Sequence, residues 1–321
     1  MRLGFLLLVA VQALGSLGLP LVYSNASNIS NVSSASNVSR VEQSVIVGTS
    51  NGFFWPQPET PFPSWLTDFT GLTEWPGIDP PYIALDFIDV DRLPKYEPYS
   101  LDQCERVPRD ACSFDCHSCL EPDDIYTCPK LSQTFDDGPS GETEALLGKL
   151  THKTTFFTVG VNVVRHPNVY RRMVEEGHLI GTHTWSHPYL PTLSNEQIIA
   201  QLEWSIWAMN ATGHHYPKYF RPPYGAIDNR VRAIARLFGL QAVLWDRDTF
   251  DWQLSVPSLR TTEDIVRDVQ EWKTRNGGLI LEHDASANTV EAATRVSELL
   301  GNDQLTVAEC VGGIDYIKKY Y

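Results

Sequence analysis

Two adjacent carboxylates, Asp136 and Asp137, stand in the run Thr134-Phe135-Asp136-Asp137-Gly138-Pro139. Side by side at a turn they repel each other. A cation or partner base must offset that repulsion, or one of the two pKa values must rise. Asp-Gly-Pro is also ordinary turn chemistry, so the pair alone identifies nothing. Further on, His183-Thr184-Trp185-Ser186-His187-Pro188 sets two imidazoles four residues apart. On one face of a helical turn that spacing suits a single metal ion, although such pairs also arise on surfaces by chance. Two His and one carboxylate make a three-ligand site with room for water. Such a site generates a nucleophile near neutral pH.

Three later segments supply complementary groups. Phe220-Arg221-Pro222-Pro223-Tyr224-Gly225 offers an Arg able to fork onto a carboxylate. Its prolines fix the backbone, so the next amide is rigidly aimed. Asp248-Thr249-Phe250-Asp251-Trp252 sets a carboxylate beside a large aromatic ring. Ile280-Leu281-Glu282-His283-Asp284 ends in a His with an Asp as its possible partner, a natural proton donor. Singly, each is more often structural than functional. Together they supply what amide hydrolysis needs: a nucleophile, a base, an oxyanion site and an acid.

The elements that must hold these groups are short apolar runs alternating with amphipathic ones. Strands are predicted at 131–135, 154–159, 178–182, 218–221, 241–245, 279–282 and 305–308. One helix starts at Ser194, with Gln197 completing a capping box and Ile198, Ile199, Leu202, Ile206 and Met209 at helical spacing. Another starts at Asp228 and carries Val231, Ile234, Ala235 and Phe238. Alternating strands and helices predict an α/β fold, a closed or nearly closed barrel of about seven parallel strands. In such barrels catalytic groups sit at strand ends, where the segments above fall. No G-x-G-x-x-G fingerprint follows any strand.

Upstream the composition changes twice. Met1-Arg2 and the apolar run to Val22 predict an export signal over residues 1–24. The rival is a retained anchor, which Gly15, Ser16, Gly18 and Pro20 weaken. Residues 25–50 are rich in Ser, Asn and Val and are predicted to be glycosylated and poorly ordered. Asn25, Asn28, Asn31, Asn37 and Asn210 each begin an Asn-x-Ser/Thr sequon. Residues 51–128 are dense in Pro, aromatics and Cys, which forbids long helices. They are predicted to form an irregular, disulfide-pinned wrap against the main domain, 129–321. The cysteines are 104, 112, 116, 119, 128 and 310. Cys116-His117-Ser118-Cys119 also admits a zinc reading, but the export signal favours disulfides. Their connectivity is not readable, except that Cys310 should tie the chain end to the upstream segment. A net charge of -14 argues against binding nucleic acid.

Taken in order, TFDDGPS, HTWSHP, RPPYG, DTFDW and LEH resemble carbohydrate esterase family 4, the NodB-type polysaccharide deacetylases. The likeness runs from Leu131 to about Asp284. The Cys-rich preface running into LSQTFDDGPS is most similar to that of fungal, yeast-type chitin deacetylases. The resemblance implies a distorted β/α barrel and a divalent metal, commonly zinc with cobalt as the alternative, held by Asp137, His183 and His187. It implies Asp136 as general base, Arg221 orienting it, His283 as general acid and Asp251 tuning His283. The Tyr224 N–H would hold the oxyanion, and Trp252 and Leu281 would enclose the acetyl methyl. The implied substrate is chitin or its oligosaccharides, and the implied setting is outside the cell or in the wall, with no membrane span once the signal is removed. Two alternatives stay open: another acetylated polymer such as xylan or peptidoglycan, and a non-catalytic wall protein. Oligomeric state is not legible.

Overall fold

The computed structural model describes residues 57–256 and 258–320. The leader and the four sequons from Asn25 to Asn37 lie outside the described residues. Seven parallel strands form one sheet: β1 (Leu131–Asp136), β2 (Thr155–Thr158), β3 (Leu179–Thr182), β5 (Tyr219–Phe220), β6 (Gln241–Ala242), β7 (Arg247–Asp248) and β8 (Gly278–His283). Their order is β6-β5-β3-β2-β1-β8-β7. Strands β1, β2, β3 and β8 are buried along nearly their whole length. That is why apolar residues fall on both faces of β2, β3 and β8, while β1 buries Ser132, Gln133 and Thr134 as well. The edge strands β6 and β7 do not pair with each other, so the barrel is distorted and incomplete. At the β6 side Ile125 of the upstream segment bridges Val243 in parallel and covers the edge.

The predicted helix starts hold. Helix Asn195–Gly213 is capped by Ser194 with the Gln197 box, and helix Asn229–Leu237 by Asp228. The strand predicted at 305–308 is wrong. Thr306 accepts from the Glu309 N–H while the Glu309 carboxylate takes the Thr306 N–H, and this capping box opens helix Val307–Val311. The seventh strand is instead β7, only two polar residues long, which carries no hydrophobic period. A second, antiparallel sheet pairs β4 (His215–Pro217) with β9 (Tyr316–Lys319).

The segment 57–128 contains helix Ser64–Thr70 and several short turns, and no long helix. It lies across helix Asn195–Gly213, most of whose circumference is apolar and buried. A helix apolar all round must be covered on both sides, here by the sheet and by the wrap. Phe62, Leu72 and Trp75 pack there with Trp204 and Trp207. Disulfides Cys104–Cys116 and Cys112–Cys119 pin the wrap internally, and Cys128–Cys310 ties the C-terminal region to it, as expected.

Candidate active site

The pairing of β8 beside β1 sets Asp136 opposite His283. The pairing of β3 with β2 and β5 brings the His183 loop alongside. All ten predicted site residues therefore meet at the C-terminal end of one sheet. All but Arg221 line a single cleft of about 470 Å³, within the ordinary range for ligand pockets, roughly 300–1,000 Å³.

Asp137, His183 and His187 bring one donor atom each to within 4.8 Å of one another. The His183 Nδ1–H donates to the Arg221 carbonyl at 2.7 Å, which leaves Nε2 as the free donor. His187 Nε2 lies 3.3 Å and His183 Nε2 3.7 Å from Asp137 Oδ1. That carboxylate oxygen is buried and has no hydrogen-bond partner. Burial lowers the pKa of both imidazoles, and for His183 the neighbouring His187 lowers it further. Two neutral imidazoles and an orphaned, buried carboxylate oxygen are the donor set a divalent cation requires. The residues present fit the metal.

The histidines do not converge on a helical turn, as their spacing suggested. Residues 183–189 form an irregular loop in which Thr184 (φ 70°) and His187 (φ 63°) are left-handed. Asp137 (φ 86°), Tyr224 (φ 62°) and Phe250 (φ 51°) share that region. Non-glycine residues there cost on the order of 1–3 kcal/mol each and collect where function requires them. Every one of these five lies in a motif singled out in the sequence.

Next to the donor set stands Asp136, 2% exposed, its Oδ2 3.7 Å from His183 Nε2. Its Oδ1 accepts from Arg221 Nη1 at 2.8 Å, and the same nitrogen donates to Thr134 Oγ1 at 2.7 Å. The guanidinium is fully buried and sits 4.2 Å over the Phe157 ring. Burial pushes the Asp136 carboxyl up to about 6, against the opposing pull of Arg221 and His283. On the adjoining strand, His283 is held by Asp251, whose Oδ1 accepts from His283 Nδ1 at 2.6 Å and whose Oδ2 accepts from the His283 backbone N–H at 2.7 Å. Burial alone would lower the imidazole pKa. The Asp251 carboxylate overrides it and lifts His283 to about 10. One buried carboxylate and one protonated imidazole therefore face the same space, the arrangement of a base and an acid.

His283 takes Asp251 as its partner, and the neighbouring Asp284 turns away from it. Asp284 accepts from the Gly138 N–H at 2.8 Å and from Thr143 Oγ1 at 2.7 Å. A Cβ on Gly138 would lie 2.4 Å from that carboxylate, so only glycine admits this clasp. Tyr224 contributes a side chain as well as an amide: its hydroxyl lies 3.2 Å from His187 Nδ1. Trp252 and Leu281 line the cleft. Sequence reasoning missed Asp248, which accepts from the Trp245 indole at 3.2 Å and the Phe250 N–H at 2.8 Å. It also missed Tyr189, Phe114 and Asp115, which line the same cleft. Tyr189 stands two residues beyond His187, a hint of position only; the other two carried no signal.

A family model described as polysaccharide deacetylase matches residues 124–243. The chain is 64% identical to chitin deacetylase 2 of Saccharomyces cerevisiae over 263 residues, covering 82% of this chain and 84% of that one. It is 61% identical to chitin deacetylase 1 of the same yeast, covering 82% and 87%. The fold is similar to that of the chitin deacetylase from the fungal pathogen Colletotrichum lindemuthianum, with a TM-score of 0.52 at 26% identity, over 62% of this chain and 96% of that one. With two such relatives along four-fifths of its length, and with the five motif segments gathered at one end of the sheet, the chain belongs to the polysaccharide deacetylase family.

Proposed function

We propose that the protein hydrolyses the N-acetyl groups of N-acetylglucosamine units in chitin, releasing acetate and leaving glucosamine units. The observation that carries this reading is the orphaned Asp137 Oδ1 beside two neutral imidazoles, in one cleft with Asp136 and His283. Asp137, His183 and His187 would hold a divalent ion, by preference zinc, which would supply Lewis-acid polarisation of the acetamide carbonyl and of the attacking water. Asp136, aimed by Arg221, takes a proton from that water as its oxygen bonds to the acyl carbon. The Tyr224 N–H donates to the developing oxyanion. His283, held by Asp251, donates the proton the amine nitrogen needs as the C–N bond breaks. Trp252 and Leu281 enclose the acetyl methyl.

The cleft supports a neutral polymer over an anionic one. Its lining contains Asp115, Asp136, Asp137, Asp246, Asp248 and Asp251 and no Lys or Arg. Acidic walls repel carboxylate-bearing polymers and tolerate a product that gains positive charge. The intact set of donors, base and acid argues against a non-catalytic wall protein. Export to the wall or medium, and glycosylation, accord with the leader and sequons. Among the described residues no helix is long and apolar enough to cross a membrane.

The test is acetate release from chitin oligomers with and without a chelator. Release that the chelator abolishes and zinc restores is expected. No release by folded, zinc-loaded protein would overturn the substrate assignment, and xylan and peptidoglycan fragments would follow.

A further inference from the structure

The cleft does not stop at the reacting centre. A row of side chains leads from the donor set toward the disulfide-pinned segment 104–119. The His187 and Tyr224 ring centroids are 4.6 Å apart, and those of Tyr224 and Tyr189 6.1 Å. The Tyr189 hydroxyl donates to Asp115 Oδ2. Beside this row Phe114 meets Trp245 edge to face, with centroids 5.6 Å apart. Phe114 comes this close because Gly225 has no side chain. A Cβ there would lie 3.1 Å from the Phe114 ring and 3.0 Å from Trp245, and the residue's φ of 67° favours glycine besides. Disulfides Cys104–Cys116 and Cys112–Cys119 bracket the two residues and fix them against the cleft.

Building on the deacetylase reading above, we propose that this segment completes a second sugar subsite. Phe114 supplies an apolar face, and Asp115 an acceptor for a hydroxyl or amide N–H of the N-acetylglucosamine unit adjoining the one being deacetylated. Asp115 is suited to the task because its two oxygens are already oriented. Oδ1 accepts from Ser113 Oγ at 2.7 Å and Oδ2 from Tyr189. An ionised carboxylate offers about four acceptor positions, so two bonds leave capacity for a ligand. The residue is only partly buried, and it lines the cleft. A carboxylate serving only to staple two loops would have no need to face the substrate space. A pre-oriented acceptor beside aromatic surface is the ordinary means of fixing a ligand's orientation.

The experiment compares acetate release from N-acetylglucosamine and from chitin oligomers of two to five units by zinc-loaded wild type, Asp115→Ala and Asp115→Asn, with thermal midpoints measured in parallel. In the wild type kcat/KM rises with chain length. In Asp115→Ala that rise is lost: every substrate of two or more units, which can fill the subsite, loses about tenfold, mostly in KM, and the single sugar loses far less. Asp115→Asn, which keeps one acceptor oxygen and the side-chain volume, recovers part of the rise. A loss of equal size at every length, the single sugar included, would mean Asp115 only supports the loop. No loss at any length would mean it does not touch the sugar. Either result overturns the subsite while leaving the deacetylase reading intact. A wild type silent on all oligomers would overturn that reading and the subsite with it. Binding of the tetramer to Asp136→Asn protein, with and without Asp115→Ala, reads the same contact without turnover and should weaken by a similar factor.

Discussion

At the strand ends, functional side chains are held by other side chains. Arg221 holds Asp136, Asp251 holds His283, and Tyr224 meets His187. In the wrap, many scaffold side chains hold backbone. The Trp204 indole donates to the Pro81 carbonyl at 2.7 Å and the Trp185 indole to Gly77 at 2.7 Å; Ser186 Oγ reaches Ile78 at 2.6 Å. Arg232 donates to the carbonyls of Cys112 and Cys119. Side-chain pairs demand particular residues at both ends. Bonds to carbonyls demand only that the chain pass through a given place. The wrap is therefore held at many points, yet leaves far less trace in its own sequence. It also reaches the chemistry directly, because Trp185 and Ser186 lie between the two histidine donors.

The sharpest way to break this comparison is to remove a strand-end pair without disturbing the wrap. Asp136→Asn keeps an acceptor for Arg221 and leaves the three metal donors intact. It should retain metal and lose about 10²–10⁴-fold in kcat, the range for loss of a positioned base. Metal content and acetate release on the same sample check this. Turnover near wild type would remove Asp136 from the role of base.

The next largest effect should come from a wrap anchor. Arg232, 1% exposed, binds Asp124 through Nε at 3.0 Å and Nη2 at 2.8 Å. Arg232→Met would strand a buried carboxylate and release two wrap carbonyls. Breaking such a pair costs about 3–5 kcal/mol. Denaturant unfolding should show that loss. A variant that unfolds like wild type would show that Arg232 is not among the contacts that hold the wrap.

Legibility followed the same division. Most sheet strands were found because buried parallel strands carry short apolar runs, as in β2, β3 and β8, and the motifs because their residue types are chemically specific. What misled was local chemistry that outweighs period. Thr306 and Glu309 cap a helix where alternation suggested a strand, and left-handed Thr184 and His187 bring together two histidines that spacing placed on a helix. The wrap's path was not readable, although helix Asn195–Gly213 carried the clue: its apolar circumference announced that a second layer must cover it.

Glu203 sits at that covered face, and a smaller effect tests the seam. The side chain is fully buried, with Oε1 accepting from the Ile83 N–H at 2.9 Å and Oε2 unpartnered. Burial raises its carboxyl from an ordinary value near 4.5 to about 8. Across that window the folded protein keeps a proton that the unfolded chain releases, so this group's contribution to stability falls as pH rises. Glu203→Gln, which keeps an acceptor for Ile83, should flatten that fall and raise the thermal midpoint at pH 8 while changing little near pH 4.5. Parallel pH profiles for the two proteins would show this group not to titrate across the seam.

The smallest effect belongs one helical turn from Arg232. Arg236 binds Asp123 bidentately, at 2.8 Å through Nε and 2.6 Å through Nη2, so by geometry alone it matches its neighbour. Its partners are about half exposed, however, with side chains at 45% and 51%. Water and salt screen such a pair to below about 1 kcal/mol. Arg236→Ala should therefore shift unfolding only slightly, and less still at high ionic strength. The hydrogen bond from Arg236 holds the Asp123 carboxyl below its usual value. What stability the pair gives is present above the ordinary carboxylate range and is lost as pH falls and Asp123 takes up a proton. As pH falls through the lowered Asp123 pKa, variant and wild type should come to unfold alike. If Arg236→Ala instead costs as much as Arg232→Met, then the wrap is held by charge rather than by the carbonyl contacts that set Arg232 apart. The contrast between the two regions would then rest on electrostatics and not on which atoms each region presents.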